Sequence, residues 1–314
     1  MDRFARFAWI TLGYNILVIL WGAAVRATGS GAGCGSHWPL CNGEIVPRSP
    51  GIQTIVELTH RLTSGIALLM VVALVVWAFR RRPQGHAARR AAVFSLLFML
   101  SEAAVGAGLV LFELVADNQS MARALFMATH LINTFFLLGA LTLTAHFASG
   151  RHPFRLRGSG VLGRWCVGGL IALLLAGVSG AVAALGDTLF PALSLTEALR
   201  QDLSPTAHVL IRLRVLHPVF SIAAAALLIL LAFRIDSLFP GSTAARWANR
   251  WMMRLVFIQL VAGVVNVILL APVWMQIVHL LLADLVWISF FLTGAQALSG
   301  REGLDLRGIT AGRG

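Results

Sequence analysis

Residues 53–79 read QTIVELTHRLTSGIALLMVVALVVWAF and are followed at once by Arg80, Arg81 and Arg82. A bilayer core about 30 Å thick is crossed by about 20 apolar residues in a helix rising about 1.5 Å per residue, so this stretch is long enough to span. Seven more stretches of that kind, approximately 7–27, 91–115, 122–147, 161–185, 207–233, 251–271 and 273–297, make eight predicted membrane helices. The composition agrees: 58% of 314 residues are hydrophobic, 12% are charged and the mean hydropathy is +0.82, outside the range of soluble globular chains.

The net charge of +12 comes from 25 basic residues, all arginine, clustered between the apolar runs. A nucleic-acid partner would call for one continuous basic patch, so topology explains this distribution better. Arg80, Arg81, Arg82, Arg89 and Arg90 follow the second span, Arg151, Arg155, Arg157 and Arg164 the fourth, and Arg234, Arg246, Arg250 and Arg254 the sixth. These segments are expected in the cytoplasm, with both termini, which carry Arg3, Arg6, Arg301, Arg307 and Arg313. The arginine-poor loops 28–52, 116–121 and 186–206 are expected outside. Arg3 and Arg6 before an apolar run ending in Gly22, Ala23 and Ala24 also suit a signal peptide, but Gly180-Ala181-Val182-Ala183 repeats that ending in the fifth span and favours a retained helix.

An ionisable side chain at a helix centre costs about 2.5–3.5 kcal/mol on insertion scales, yet His60, His130, His217 and His279 all stand inside spans. His60 and His217 are 157 positions apart and His130 and His279 are 149 apart, so a four-helix unit is expected twice, over 1–150 with outer loop 28–52 and over 151–314. With the topology above, all four lie in the outer third of their spans. Level imidazoles on neighbouring helices suit a planar ligand held between them, and neutral imidazole is a good ligand for heme iron. Gly65, Ala67, Gly106, Gly108, Gly139, Ala223, Ala224 and Gly263 are candidates for the space a porphyrin needs, the plain alternative being close helix packing. His37, His86, His146, His152 and His208 fall in loops or near helix ends and share no such repeat.

The two units differ beside the histidines. Glu57 stands three residues before His60, whereas Arg214 stands three before His217. An i,i+3 pair shares a helix face, which puts Glu57 about 4.5 Å outward of His60. A carboxylate in a poorly solvated site acts as a base or stabilises developing positive charge, and an arginine fork suits a heme propionate, so reaction is expected in the first unit and support in the second. For Glu57 the alternative is an i,i+4 ion pair with Arg61. Arg26, Arg61, Arg212 and Arg214, all near outer helix ends, are candidate propionate contacts, with snorkelling as the alternative.

Loop 28–52 is rich in glycine and carries Cys34 and Cys41. Outside the cytoplasm such a pair reads as a structural disulfide or a redox-active dithiol, and two cysteines with His37 fall short of a four-ligand zinc site. Cys166, inside the fifth span, reads as a small buried hydrophobe.

The elements Val25-Arg26-Ala27-Thr28-Gly29-Ser30-Gly31, Cys34, Trp38-Pro39, Cys41-Asn42-Gly43 and Glu57-Leu58-Thr59-His60-Arg61, with His130, His217-Pro218 and His279, resemble the heme A synthase family over nearly the whole chain. The resemblance implies an all-α integral membrane protein of the bacterial cytoplasmic membrane, its two four-helix bundles related by pseudo-twofold symmetry. It implies oxidation of the C8 methyl group of heme O to a formyl group, giving heme A for terminal oxidases. His60 and His130 would flank the substrate heme O, His217 and His279 would ligate a resident heme B, Glu57 would be the functional carboxylate, and Cys34 and Cys41 an outer-loop disulfide. Heme O synthase and terminal oxidase assembly are the implied partners, a second copy of the chain is left open, and no nucleic acid is expected. Some members carry a second cysteine pair in the outer loop after the fifth span; loop 186–206 contains none. Two other functions fit the histidine pairs alone: a bis-histidine b-type cytochrome in quinone-linked electron transfer, and a heme carrier for oxidase assembly.

Overall fold

The structure, a computed structural model, describes residues 1–154, 156, 158–240 and 242–311. Arg155, Arg157 and Arg313 of the expected cytoplasmic clusters lie outside the described residues. Ten α-helices are found among the described residues: α1 Arg3–Ala27, α2 Ile52–Arg81, α3 Ala87–Leu111, α4 Met121–Ala148, α5 Gly160–Leu189, α6 Leu195–Leu203, α7 Val209–Arg214, α8 Leu216–Leu238, α9 Thr243–Ile268 and α10 Val273–Ala311. Taking α7 and α8 as one span, eight are long and apolar enough to cross a membrane, as expected.

Helix starts follow capping chemistry. Asp2 accepts from the Ala5 N–H at 2.7 Å to open α1, and Ser120 accepts from that of Arg123 at 3.2 Å to open α4. Two features depart from the expected elements. The sixth span breaks at Val215 between α7 and α8, because Pro218 has no N–H to offer and its ring crowds the carbonyl four residues back, that of Arg214. Loop 186–206, expected outside, holds α6, opened by Ser194, whose hydroxyl accepts from the Glu197 N–H at 3.2 Å.

In the first four spans α1 packs on α2 and α4, and α3 on α2 and α4; in the last four, α8 packs on α5 and α9, and α10 on α9 and α5. The two sets meet where α4 lies against α5 and α10, and α1 against α10. At that seam the Phe135 and Trp287 rings stack at 4.6 Å, and the buried Trp287 donates Nε1–H to the Phe135 carbonyl at 2.6 Å. Apolar side chains such as Leu69, Phe94, Val219 and Phe257 stay exposed on the outside, the surface that lipid solvates. Several of the small residues pack helices: a Cβ on Gly108 would strike Phe126, one on Gly139 would strike Phe291, and Ala67 and Ala224 are buried.

Candidate functional site

Each of the four intramembrane histidines stands against a glycine on the preceding span. A Cβ added to Gly22 of α1 would lie 2.9 Å from Cε1 of His60 on α2, and one on Gly180 of α5 would lie 2.9 Å from Cε1 of His217 on α8. At Gly263 of α9 the distance to His279 Cε1 is 3.2 Å, and at Gly106 of α3 the distance to His130 Cε1 is 3.8 Å. Gly106 and Gly263 therefore face the imidazoles themselves. A Cβ at Gly22 or Gly180 would push the imidazole aside, since real Cβ atoms do not approach carbon that closely.

The last four spans bring His217 and His279 together, with ring centroids 6.2 Å apart and planes at 87°. Two metal–imidazole bonds of about 2 Å each, plus two ring radii, come to roughly the same separation. Nδ1 of His217 lies 3.1 Å from the Ala176 carbonyl, 3.2 Å from Ser179 Oγ and 3.3 Å from Ser221 Oγ. Donation to that carbonyl fixes the tautomer that leaves Nε2 as the ligating nitrogen. Gln259 Nε2 lies 3.4 Å from Nε2 of His279. The Nδ1 atoms of His60, His130 and His279 are buried without a well-formed hydrogen bond. Half-buried imidazoles with orphaned nitrogens, a glycine under each, and a pair at the spacing of shared coordination form a donor set that fits heme iron.

Glu57 is 3% exposed and fully engaged. Its Oε2 accepts from the Cys34 N–H at 2.8 Å, and its Oε1 accepts from Arg61 Nε at 3.1 Å and Nη2 at 2.5 Å. The i,i+4 ion pair weighed from the sequence is thus present, and Glu57 also ties α2 to the first outer loop. Cys34 and Cys41 form a disulfide with Cα atoms 4.3 Å apart, both buried. Thr54 Oγ1 donates to the Gly33 carbonyl at 2.8 Å, and Arg61 Nη1 donates to those of His37 and Leu40 at 2.7 and 2.6 Å. Gly33 permits this docking, because a Cβ there would run into the backbone of Gln53 and Thr54. Cys166 is a free, buried cysteine, as read.

Of the other candidate arginines, Arg26 donates to the Ala184 carbonyl and Thr188 Oγ1, both at 2.8 Å on α5, and to Gln276 Oε1 at 2.7 Å on α10. Arg214 pairs with Asp202 at 2.5 Å and Asp187 at 3.1 Å. Arg212 is exposed. The sequence reading overlooked Glu102 on α3, whose Oε1 lies 3.3 Å from Nδ1 of His130. A carboxylate inside an apolar span was itself the signal, of the same kind as the histidines.

Similarity to known proteins was found across the chain. It is 52% identical over 297 residues to a Thermus thermophilus protein named protoheme IX farnesyltransferase, covering 95% of this chain and 49% of that one. It is 41% identical over 97 residues to a heme A synthase of Halalkalibacterium halodurans, covering 31% of this chain and 33% of that one. It is 40% identical over 111 residues to a heme A synthase of Bacillus mycoides, covering 35% and 36% respectively. The alignments span about half or less of these curated relatives. A family model described as COX15-CtaA, cytochrome oxidase assembly protein, matches residues 5–291, and the chain belongs to that family.

Proposed function

We propose that this chain is a heme A synthase, converting the C8 methyl group of heme O to a formyl group. The observation that carries the proposal is the fourfold imidazole-over-glycine arrangement, combined with a buried carboxylate, Glu57, at only one of the two outer-loop positions. The names of the Halalkalibacterium and Bacillus relatives support it. In balance, the methyl group and one water become the formyl group with release of four electrons and four protons. The substrate would lie between His60 and His130, and a resident heme B between His217 and His279. When bound, that heme supplies a one-electron redox centre able to take electrons from the substrate side.

The chain's own residues bind, orient and shield. Imidazole nitrogens would ligate both irons, with His217 held by the Ala176 carbonyl. The disulfide loop, docked by Thr54, Glu57 and Arg61, would cover the outer end of the first site and limit water there. Glu57 would stabilise positive charge developing on the substrate or accept a proton from it. Arg26, Arg61, Arg212 and Arg214 remain the guanidinium candidates for propionates, Arg26, Arg61 and Arg214 being already held by protein partners.

Pseudo-twofold halves over 1–150 and 151–314, both termini in the cytoplasm and a bacterial cytoplasmic membrane complete the proposal. The Thermus relative's name, and the chain's coverage of only 49% of it, support heme O synthase as the supplier of substrate, with terminal oxidase assembly downstream. The test is mass analysis of hemes extracted from the protein co-expressed with a heme O source. Wild type should yield heme B and heme A, and Glu57→Ala should retain heme O without converting it. Heme B alone in the wild type identifies a b-type cytochrome, and heme O returned unchanged identifies a carrier; heme A from Glu57→Ala at wild-type level refutes the role of Glu57.

A further inference from the structure

The two sites differ at a second pair of matched positions. Glu102 lies four residues before Gly106, the glycine under His130, and Gln259 lies four before Gly263, the glycine under His279. Each approaches its histidine: Glu102 Oε1 is 3.3 Å from His130 Nδ1, off the axis of a good hydrogen bond, and Gln259 Nε2 is 3.4 Å from His279 Nε2. Glutamate and glutamine have the same stem and shape, so the two sites differ in a charge and in the ring nitrogen approached, Nδ1 in the first and Nε2 in the second.

The first site alone has a clamp for that charge. Asn133 Nδ2 donates to Glu102 Oε2 at 2.5 Å and Thr134 Oγ1 donates to Oε1, while Ser101 Oγ donates to Asn133 Oδ1 at 2.6 Å. Both carboxylate oxygens thus accept from fixed donors, which hold the side chain in place beside His130. At the matched positions of the second site stand Ile258, Leu282 and Ala283, none of which can donate from its side chain. The charged residues three positions before His60 and His217 each have counterions, Glu57 one in Arg61 and Arg214 two in Asp187 and Asp202. Among the described residues, Glu102 has no arginine as a hydrogen-bond or ion-pair partner. Glu102 is thus the carboxylate that stands directly against an imidazole of the first pair.

We propose that Glu102 is a positioning residue that holds His130 through Nδ1 and makes it a stronger electron donor than His279, so that iron in the first site gives up an electron more readily than iron in the second. A carboxylate behind an imidazole ligand strengthens its donation, and such outer contacts set iron potentials. The gradient runs in the direction heme O oxidation requires, from the substrate toward the resident heme. This rests on the proposed function, in that both histidine pairs must bind heme.

The test is spectroelectrochemical titration of the whole protein loaded with hemin, in wild type, Glu102→Gln and Gln259→Glu. The wave lost in His130→Ala belongs to the first site and the wave lost in His279→Ala to the second. Glu102→Gln should lower the first site's preference for ferric over ferrous iron at least tenfold, an upward shift of about 59 mV, and leave the second wave in place. Gln259→Glu should move the second wave down, and it keeps the test alive if Glu102→Gln does not fold. Waves that stay put, or that move together, overturn the role of Glu102 alone. Failure of wild type to bind hemin at either pair overturns the proposed function and this inference with it.

Discussion

Gly→Ala substitution at each of Gly22, Gly106, Gly180 and Gly263 should separate ligand geometry from fold stability. Carbon atoms pack at about 3.5–4.0 Å. A new Cβ 2.9 Å from the imidazole at positions 22 and 180 must then displace that ring by roughly 0.6 Å or more, at 263 (3.2 Å) by roughly 0.3 Å, and at 106 (3.8 Å) not at all. Functional groups tolerate about 0.5 Å of error, so the first two substitutions cross that limit and the last does not. Overpacking costs about 1–3 kcal/mol, equivalent to roughly fivefold to 150-fold in affinity when the ring must hold its place. Helix propensity acts in the other direction, since Ala is better than Gly by about 1 kcal/mol inside a helix. Gly106→Ala should therefore raise the unfolding midpoint of the heme-free protein and keep its hemin affinity. Gly22→Ala and Gly180→Ala should leave the midpoint within about 1–2 kcal/mol of wild type and lose tenfold or more in affinity, each for its own histidine pair. Hemin titration and denaturant unfolding in one detergent measure both. Equal losses at all four positions, or tightest binding in Gly180→Ala, would refute the reasoning.

Gly33→Ala should lift the first outer loop from α2, because the added Cβ meets the backbone of Gln53 and Thr54. After mild reduction Cys34 and Cys41 should alkylate several times faster than in wild type, and an unchanged rate would show the loop is held otherwise. His86 caps α3, its Nδ1 accepting from the Ala88 N–H at 3.1 Å, and partial burial and the nearby Arg82 lower its pKa. A histidine whose folded pKa is depressed favours folding above its unfolded value of about 6.5, and that contribution is lost as the pH falls through the folded value. Protection factors of the amides in the first turn of α3, with intrinsic exchange at each pH divided out, should therefore fall on going from pH 7.5 to pH 5, and His86→Ala should leave them low and independent of pH.

The spans were legible because length and apolarity alone decide whether a helix crosses a bilayer, and residues 53–79 satisfy both. The histidine repeat was legible because charge is rare at that depth. What the histidines rest on was not: Gly106 and Gly263 looked like room for a ligand, whereas they face imidazole edges on the next span. Helix-to-helix register cannot be read from one helix. The same limit hid the clamp on Glu102, whose partners Asn133 and Thr134 are 31 and 32 positions away. The bonds of Arg26, to residues 158, 162 and 250 positions distant, were out of reach for the same reason. The break at Val215 was readable from Pro218, since proline disturbs the turn before it.

Glu57 and Arg214, opposite in charge, have one mechanical task in common. Glu57 holds loop 28–52 through the Cys34 N–H, and Arg214 holds loop 186–206 through Asp202, the Ala198 carbonyl and Gln201, all on α6. The second loop has no cysteine pair, and its ion-pair cluster supplies the tether a disulfide would give. On the proposed function, a relay of disulfide electrons from one of these loops to the other would lack a second cysteine pair in loop 186–206. The tether also bears on what Glu57 does. Both of its oxygens already accept from fixed donors, one of them a guanidinium. Protonation would weaken the Arg61 pair and free the loop, whereas positive charge nearby would meet a carboxylate already aligned and require no rearrangement. If the proposed function holds, these surroundings suit Glu57 to stabilising charge rather than to carrying a proton.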